Sequence, residues 1–170
     1  MDFLSPIEDA IVARLKAKLP TILVQQYPDD PENYAPAHPV GALLVRYASA
    51  EYSDTRDLGN VVQERDLVFE ITLALWSLRG RSGQGGLYSY LEGVRVALTG
   101  YTPPNCQRKM TAIEDGFINR SGGLKGQRLW QYAISFRTTV FNIEVLDEVA
   151  VTLLKRLTTN DNYGDRKDIP

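Results

Sequence analysis

Apolar side chains recur at two spacings along this chain. From Ser5 to Leu19 they come four apart, at Ile7, Ile11, Leu15 and Leu19 with Leu4 just ahead, while Glu8, Lys16 and Lys18 lie off the stripe. That spacing predicts an amphipathic helix over 5–19. Ser5 is its expected cap, Pro6 suits the first helical position, Glu8 completes a capping box and Pro20 stops it. Thr21 to Gln26 reads as a short strand. Residues 27–39 hold Pro28, Pro31, Pro36 and Pro39, several acids and His38, and read as a loop, because proline removes backbone donors and disfavours helix just before it. Its length points to a surface role.

The second spacing is two. A strand is expected from Val40 to Ala48, with Leu43, Val45 and Tyr47 on one face, followed by a polar segment from Ser49 to Asn60. Over 61–76 the alternation is clearest: Leu67, Phe69, Ile71, Leu73 and Leu75 against Asp66, Val68, Glu70, Thr72 and Ala74. The turn Arg79-Gly80-Arg81-Ser82-Gly83-Gln84-Gly85-Gly86 leads into a helix over about 86–99, lined by Leu87, Leu91, Val94 and Leu98 and ended by Gly100 and Pro103-Pro104. A weak strand is expected around Met110–Ile113, with a turn at Asp115-Gly116. The glycine-rich loop Ser121–Gly126 precedes a long strand from Arg128 to Ile143, in which Trp130, Tyr132, Ile134, Phe136 and Val140 share one face. At Val140-Phe141 the phase slips, and Phe141, Ile143 and Val145 become the apolar set, which predicts a bulge or a change of partner.

Helix, three strands, helix, two strands and a tail make an α+β protein: a mainly antiparallel sheet of four to five strands with helices on one face. Residues 1–143 are expected to form the domain, and 144–170 an extended C-terminal segment holding the apolar stretch Val149–Leu154.

Composition narrows the function classes. The chain has 170 residues, enough for one domain with a substantial core, and 44% hydrophobic and 24% charged residues, which argues against disorder. A net charge of −2, from 19 basic and 21 acidic residues spread along the sequence, offers no basic stripe for capturing nucleic acid. The N-terminus has neither the basic nor the apolar region of a signal peptide, and no apolar run approaches the ~20 residues of a membrane helix. A soluble product made in the cytoplasm is expected.

The chemical candidates each meet a plainer reading. Gly80 and Gly85 have the spacing of a phosphate-binding loop, but Gly86 and Leu87 stand where lysine and a hydroxyl are required. A dinucleotide fingerprint begun at Gly83 and Gly85 would need its third glycine at Tyr88. The turn therefore reads as a connector whose glycines permit positive φ. His38 is the only histidine and Cys106 the only cysteine, so neither builds a metal cluster or a recognisable triad. Asp29/Asp30 and Asp54/Asp57 read as solvated loop acids rather than a glycosidase pair. The aromatics from Trp130 to Phe136 would suit base stacking, but in a chain of this charge they read as a half-buried core strand. No catalytic, cofactor or metal site is expected, and the chain is read as a structural, self-associating subunit rather than an enzyme.

The run from Leu78-Arg79-Gly80-Arg81-Ser82-Gly83-Gln84-Gly85-Gly86-Leu87 to Thr99-Gly100, then Tyr101-Thr102-Pro103-Pro104, resembles the tail-terminator family of Mu-like and other contractile-tailed phages. The later glycine loop, the strand Leu129-Trp130-Gln131-Tyr132-Ala133-Ile134-Ser135-Phe136 and the opening helix near Ile7-Glu8-Asp9-Ala10-Ile11 fit the same family, over roughly residues 5–143. The resemblance implies a virion tail protein assembled in the host cytoplasm. It also implies a homo-oligomeric, hexameric ring that caps the tail-tube protein, meets sheath or neck and connector proteins, and passes DNA only through its lumen. It brings no catalytic residues and no membrane partner. Ring subunits need edges or extended segments that neighbours cover, which singles out the proline loop 27–39, the polar segment 49–60 and the tail 144–160. The individual interface candidates are Tyr47, Tyr52, Arg56, Arg79, Arg81, Val151 and Leu153. The alternatives are a tail-completion or head–tail joining protein, and a small nucleotide-binding or hydrolytic protein using the glycine turn.

Overall fold

The computed structural model describes residues 2–31, 33–57, 61–80, 85–118 and 129–145, with only the backbone at 56 and 57. The elements are α1 (Ser5–Lys18), β1 (Leu23–Gln26), β2 (Gly41–Tyr52), β3 (Arg56–Asp57), β4 (Val61–Leu75), α2 (Leu87–Leu98), β5 (Thr111–Phe117) and β6 (Trp130–Ile143). The expected C-terminal segment lies outside the described residues beyond Val145. The sheet runs in the order β1-β2-β4-β6-β5, with the two-residue β3 pairing β4. Among the described strands only the β1–β2 pair is parallel. The protein is α+β, as the two spacings predict.

Strand β4 decides the layering. Its odd positions Leu67, Phe69, Ile71, Leu73 and Leu75 are fully buried in one apolar cluster with Ile7, Ile11 and Leu15 of α1 and Leu87, Val94 and Leu98 of α2. Each such side chain contributes about 1.5–3 kcal/mol on burial. Helix α1 lies over β1 and β2, and α2 over β4 and β6. On the opposite face, Ala42, Leu44, Ala74 and Leu129 form a smaller cluster against which Tyr27 and Tyr34 of the proline loop pack. The loop is thus partly a cover for the second face. The Arg46 guanidinium lies 5.0 Å over the Tyr27 ring and pairs with Glu70 at 2.8 Å.

Several boundaries differ from the sequence reading. Leu4, not Ser5, is the cap residue of α1, and no side chain caps it from within the helix. Asp2 Oδ1 accepts instead from the Leu4 and Ser5 N–H groups. Glu8 does not close a capping box: its carboxylate accepts from the Tyr47 N–H. That donor is open because β1 ends beside Val45, where the Tyr27 N–H makes the last bond. Strand β2 continues through Ser49–Tyr52, so part of the expected polar segment is strand. Asp115 and Gly116 lie inside β5 and form no turn. The phase slip at Val140-Phe141 is not a bulge, since β6 keeps unbroken register with β4 from Trp130 to Ile143. The bulges fall elsewhere, at Tyr47/Ser49 in β2 and Ala112/Glu114 in β5.

Gly41 sits at φ 128°, and a Cβ there would lie 2.2 Å from the Ala74 carbonyl oxygen. Gly100 also has positive φ, but nothing lies within 4 Å of its Cβ direction. Gly41→Ala is therefore expected to cost about 2–3 kcal/mol or more in urea unfolding, and Gly100→Ala about 1 kcal/mol. Equal costs at the two sites would contradict the close approach of β2 to β4.

Burial raises the Glu8 carboxyl above its ordinary 4.5, opposed by the Tyr47 N–H. A folded-state pKa above the unfolded value means that this group's stabilisation is complete below the usual carboxylate range and is lost as pH rises through the raised value. Glu8→Gln is expected to remove that slope from unfolding free energy measured between acid and neutral pH. Glu8→Ala, which leaves the Tyr47 donor without its acceptor, is expected to cost about 1–3 kcal/mol.

Candidate assembly surfaces

The paired ends of β2, β4 and β6 form a less buried blade, in which no residue from Arg46 to Tyr52 or from Val61 to Asp66 is fully buried. Hydrogen bonds at its edges hold it together. The Ser53 N–H donates to Glu64 O at 2.9 Å, and Glu64 N–H donates to Ser53 Oγ at 3.0 Å. On the other side Glu144 N–H donates to Val61 O at 2.9 Å, while Val61 N–H donates to Glu144 Oε2 at 2.8 Å. The helix-facing side of the blade carries Arg65, whose guanidinium lies 5.9 Å over the Tyr47 ring and 5.5 Å over Tyr52. Arg65 Nη2 also donates to Tyr47 Oη at 3.3 Å, and Tyr47 meets Phe69 edge-on at 5.9 Å. Two of the expected interface residues, Tyr47 and Tyr52, are thus joined through an arginine that periodicity alone did not single out.

The opposite face of the blade explains the phase slip. Register places Phe141 opposite Glu64 and Ile143 opposite Val62, on the side away from the helices. Phe141 and Ile143 are exposed, and Val145 beyond them is 90% exposed. They stay apolar where nothing among the described residues covers them. The signal was in the sequence, but a change of apolar face is not by itself a change of backbone.

Of the remaining interface candidates, Arg56 has its backbone in β3 opposite Val62, and Arg79 is exposed beside Gly80. Arg81, Val151 and Leu153 lie outside the described residues. At the glycine turn, Leu87 N–H donates to Ser77 O at 3.0 Å and Tyr88 N–H to Leu78 O at 3.4 Å, so the first donors of α2 are already spent on protein carbonyls. A phosphate site at a helix start relies on those same groups. A Cβ on Gly86 would come within 2.2 Å of the Gly80 nitrogen, which makes this glycine a packing requirement.

The other chemical candidates are scattered. His38 Nδ1 accepts from Val40 N–H at 3.3 Å, and its carbonyl accepts from Trp76 Nε1. Burial pushes the half-buried Cys106 thiol up, away from the thiolate. Asp30 accepts from Asn33 within the loop. Among the described residues no group of three or more His, Cys, Asp or Glu side chains is placed to hold a metal ion, and no helix is long and apolar enough to cross a membrane. The aromatic strand divides: Ile134 and Phe136 are core, whereas Trp130 is exposed and Tyr132 half-buried.

Replacing Phe141 and Ile143 together by Thr is expected to change unfolding free energy by no more than about 0.5–1 kcal/mol, as for other exposed positions. A loss of several kcal/mol in chemical denaturation would mean that the strip is covered in the isolated protein.

No curated protein matches the chain. A family model described as Gp37 protein matches residues 11–162, from the middle of α1 through β6 and beyond it. The chain belongs to the Gp37 family, a phage-associated protein family.

Proposed function

We propose that this protein is a structural component of the virion: a tail terminator whose subunits form a ring, cap the last ring of the tail tube and join the tail to the neck or connector. The observation that carries this reading is the blade, with its apolar strip: Phe141 and Ile143 are held in β6 yet left exposed, and Val145 follows just beyond the strand. Isolated exposed apolar residues are ordinary, but a row of them along the exposed end of a sheet fits a surface that a neighbour covers. Membership of a phage-associated family and the resemblance of residues 5–143 to tail terminators agree with it. The role is one of binding and shape, without catalysis or a bound cofactor. Spent donors at the start of α2 and scattered polar candidates accord with that.

The decisive experiment is removal of the protein from particle assembly, followed by electron microscopy. Tubes of uncontrolled length are expected, with rings restored at tube ends when purified protein is added back. Tails of normal length that fail to join heads would assign the head–tail joining role instead. Normal particles would overturn the structural reading.

A further inference from the structure

Among the described residues the helix layer is one helix short of its sheet. Helix α1 covers β1 and β2, and α2 covers β4 and β6, but all seven residues of β5 are exposed, Phe117 at 54%. On the helix side of this uncovered corner, rings from three elements meet. Tyr88 of α2 lies edge-on to Tyr132 at 6.3 Å, Phe117 edge-on to Tyr132 at 5.5 Å, and Phe117 beside Trp130 at 6.4 Å. Register places Asp115 on the same face, between Phe117 and the bulge, and Glu114 lies beside it on the other face. An aromatic face with a carboxylate beside it attracts a cation, and Asp115 already acts electrostatically on the Arg95 guanidinium of α2, which also pairs with Glu92 at 2.5 Å.

A matching surface lies at the opposite edge of the sheet. Arg14 marks the side of α1 that faces α2: its Nε donates to Ala97 O at 3.2 Å and its guanidinium lies 5.1 Å over Tyr101. Helical spacing then puts Lys16 on the far flank, with Ala13 and Ala17 on the solvent side beside it, all three exposed. Asp9 shares the flank, but its carboxylate accepts from Gln26 Nε2 at 2.9 Å. The small side chains let a helix approach closely, and Lys16 supplies the cation.

We propose that the uncovered corner above β5 receives the C-terminal half of α1 from a second copy of this chain, with Lys16 over the aromatic cluster and beside Asp115. The inserted helix supplies the missing third member of the layer. Because the two surfaces lie at opposite edges of one molecule, the contact is head-to-tail, and its repetition closes a ring when the rotation between neighbours divides a full turn. This rests on the ring reading above and names the surfaces that would build it.

The test uses the full chain and charge exchange. Lys16→Glu and Asp115→Lys are each expected to weaken assembly, followed by sedimentation velocity alone and with tube protein, by about tenfold or more, as like charges facing across an interface do. The double variant restores the pairing between neighbours and is expected to recover assembly. Circular dichroism and thermal unfolding check that each variant folds, and Lys16→Glu changes only an exposed helix position. In a Trp76→Phe background Trp130 is the only tryptophan, and its emission is expected to shift to the blue on assembly. Single variants that assemble like the wild type, with Trp130 emission unmoved, would overturn this contact while leaving a ring built through other surfaces. A wild-type chain that stays monomeric alone and on tubes would overturn both.

Discussion

Everything in this fold hangs on the pairing of β4 along both of its sides. It shares long antiparallel ladders with β2 and β6, and its odd-numbered side chains form the floor on which both helices rest. A slip of one residue in either ladder would turn that floor toward the other face, where Glu70 and Thr72 now lie. The pleat therefore fixes more than a strand. It sets which side the helices occupy and which side receives the proline loop.

The periodic elements were legible in the sequence for that reason. Ile7, Ile11 and Leu15 declared the buried stripe of α1, and Leu67 to Leu75 declared the buried face of β4, because in each case burial alone selects the residue. What escaped was set by contacts between distant segments. Glu8 reads as a capping residue by spacing, yet its carboxylate is drawn to the Tyr47 N–H because β1 stops two residues short of it. Asp115-Gly116 reads as a turn by composition, but β6 offers it a ladder to join.

The surfaces were less legible than the core. Tyr47 and Tyr52 were foreseeable as aromatic side chains in a strand and the polar stretch after it. Their union through Arg65 depends on the register between β2 and β4 and on the bulge at Tyr47/Ser49. Trp130 and Tyr132 share the periodicity of Ile134 and Phe136, so no pattern separates them. What separates them is how far α2 reaches across the sheet. Which apolar residues of a well-formed strand stay exposed depends on where the neighbouring elements end, and a single sequence does not record that.

The bond between Glu8 and Tyr47 has a consequence for directionality. At the β1 side, the first free donor of β2 beyond the parallel pair is occupied by a carboxylate from α1, so an incoming strand finds no partner there. At the β5 side the outermost strand is exposed along its whole length. Among the described residues the two margins of the sheet are thus unlike, one closed at the Tyr47 donor and the other presenting an exposed strand, which gives each molecule a polarity before it meets any other.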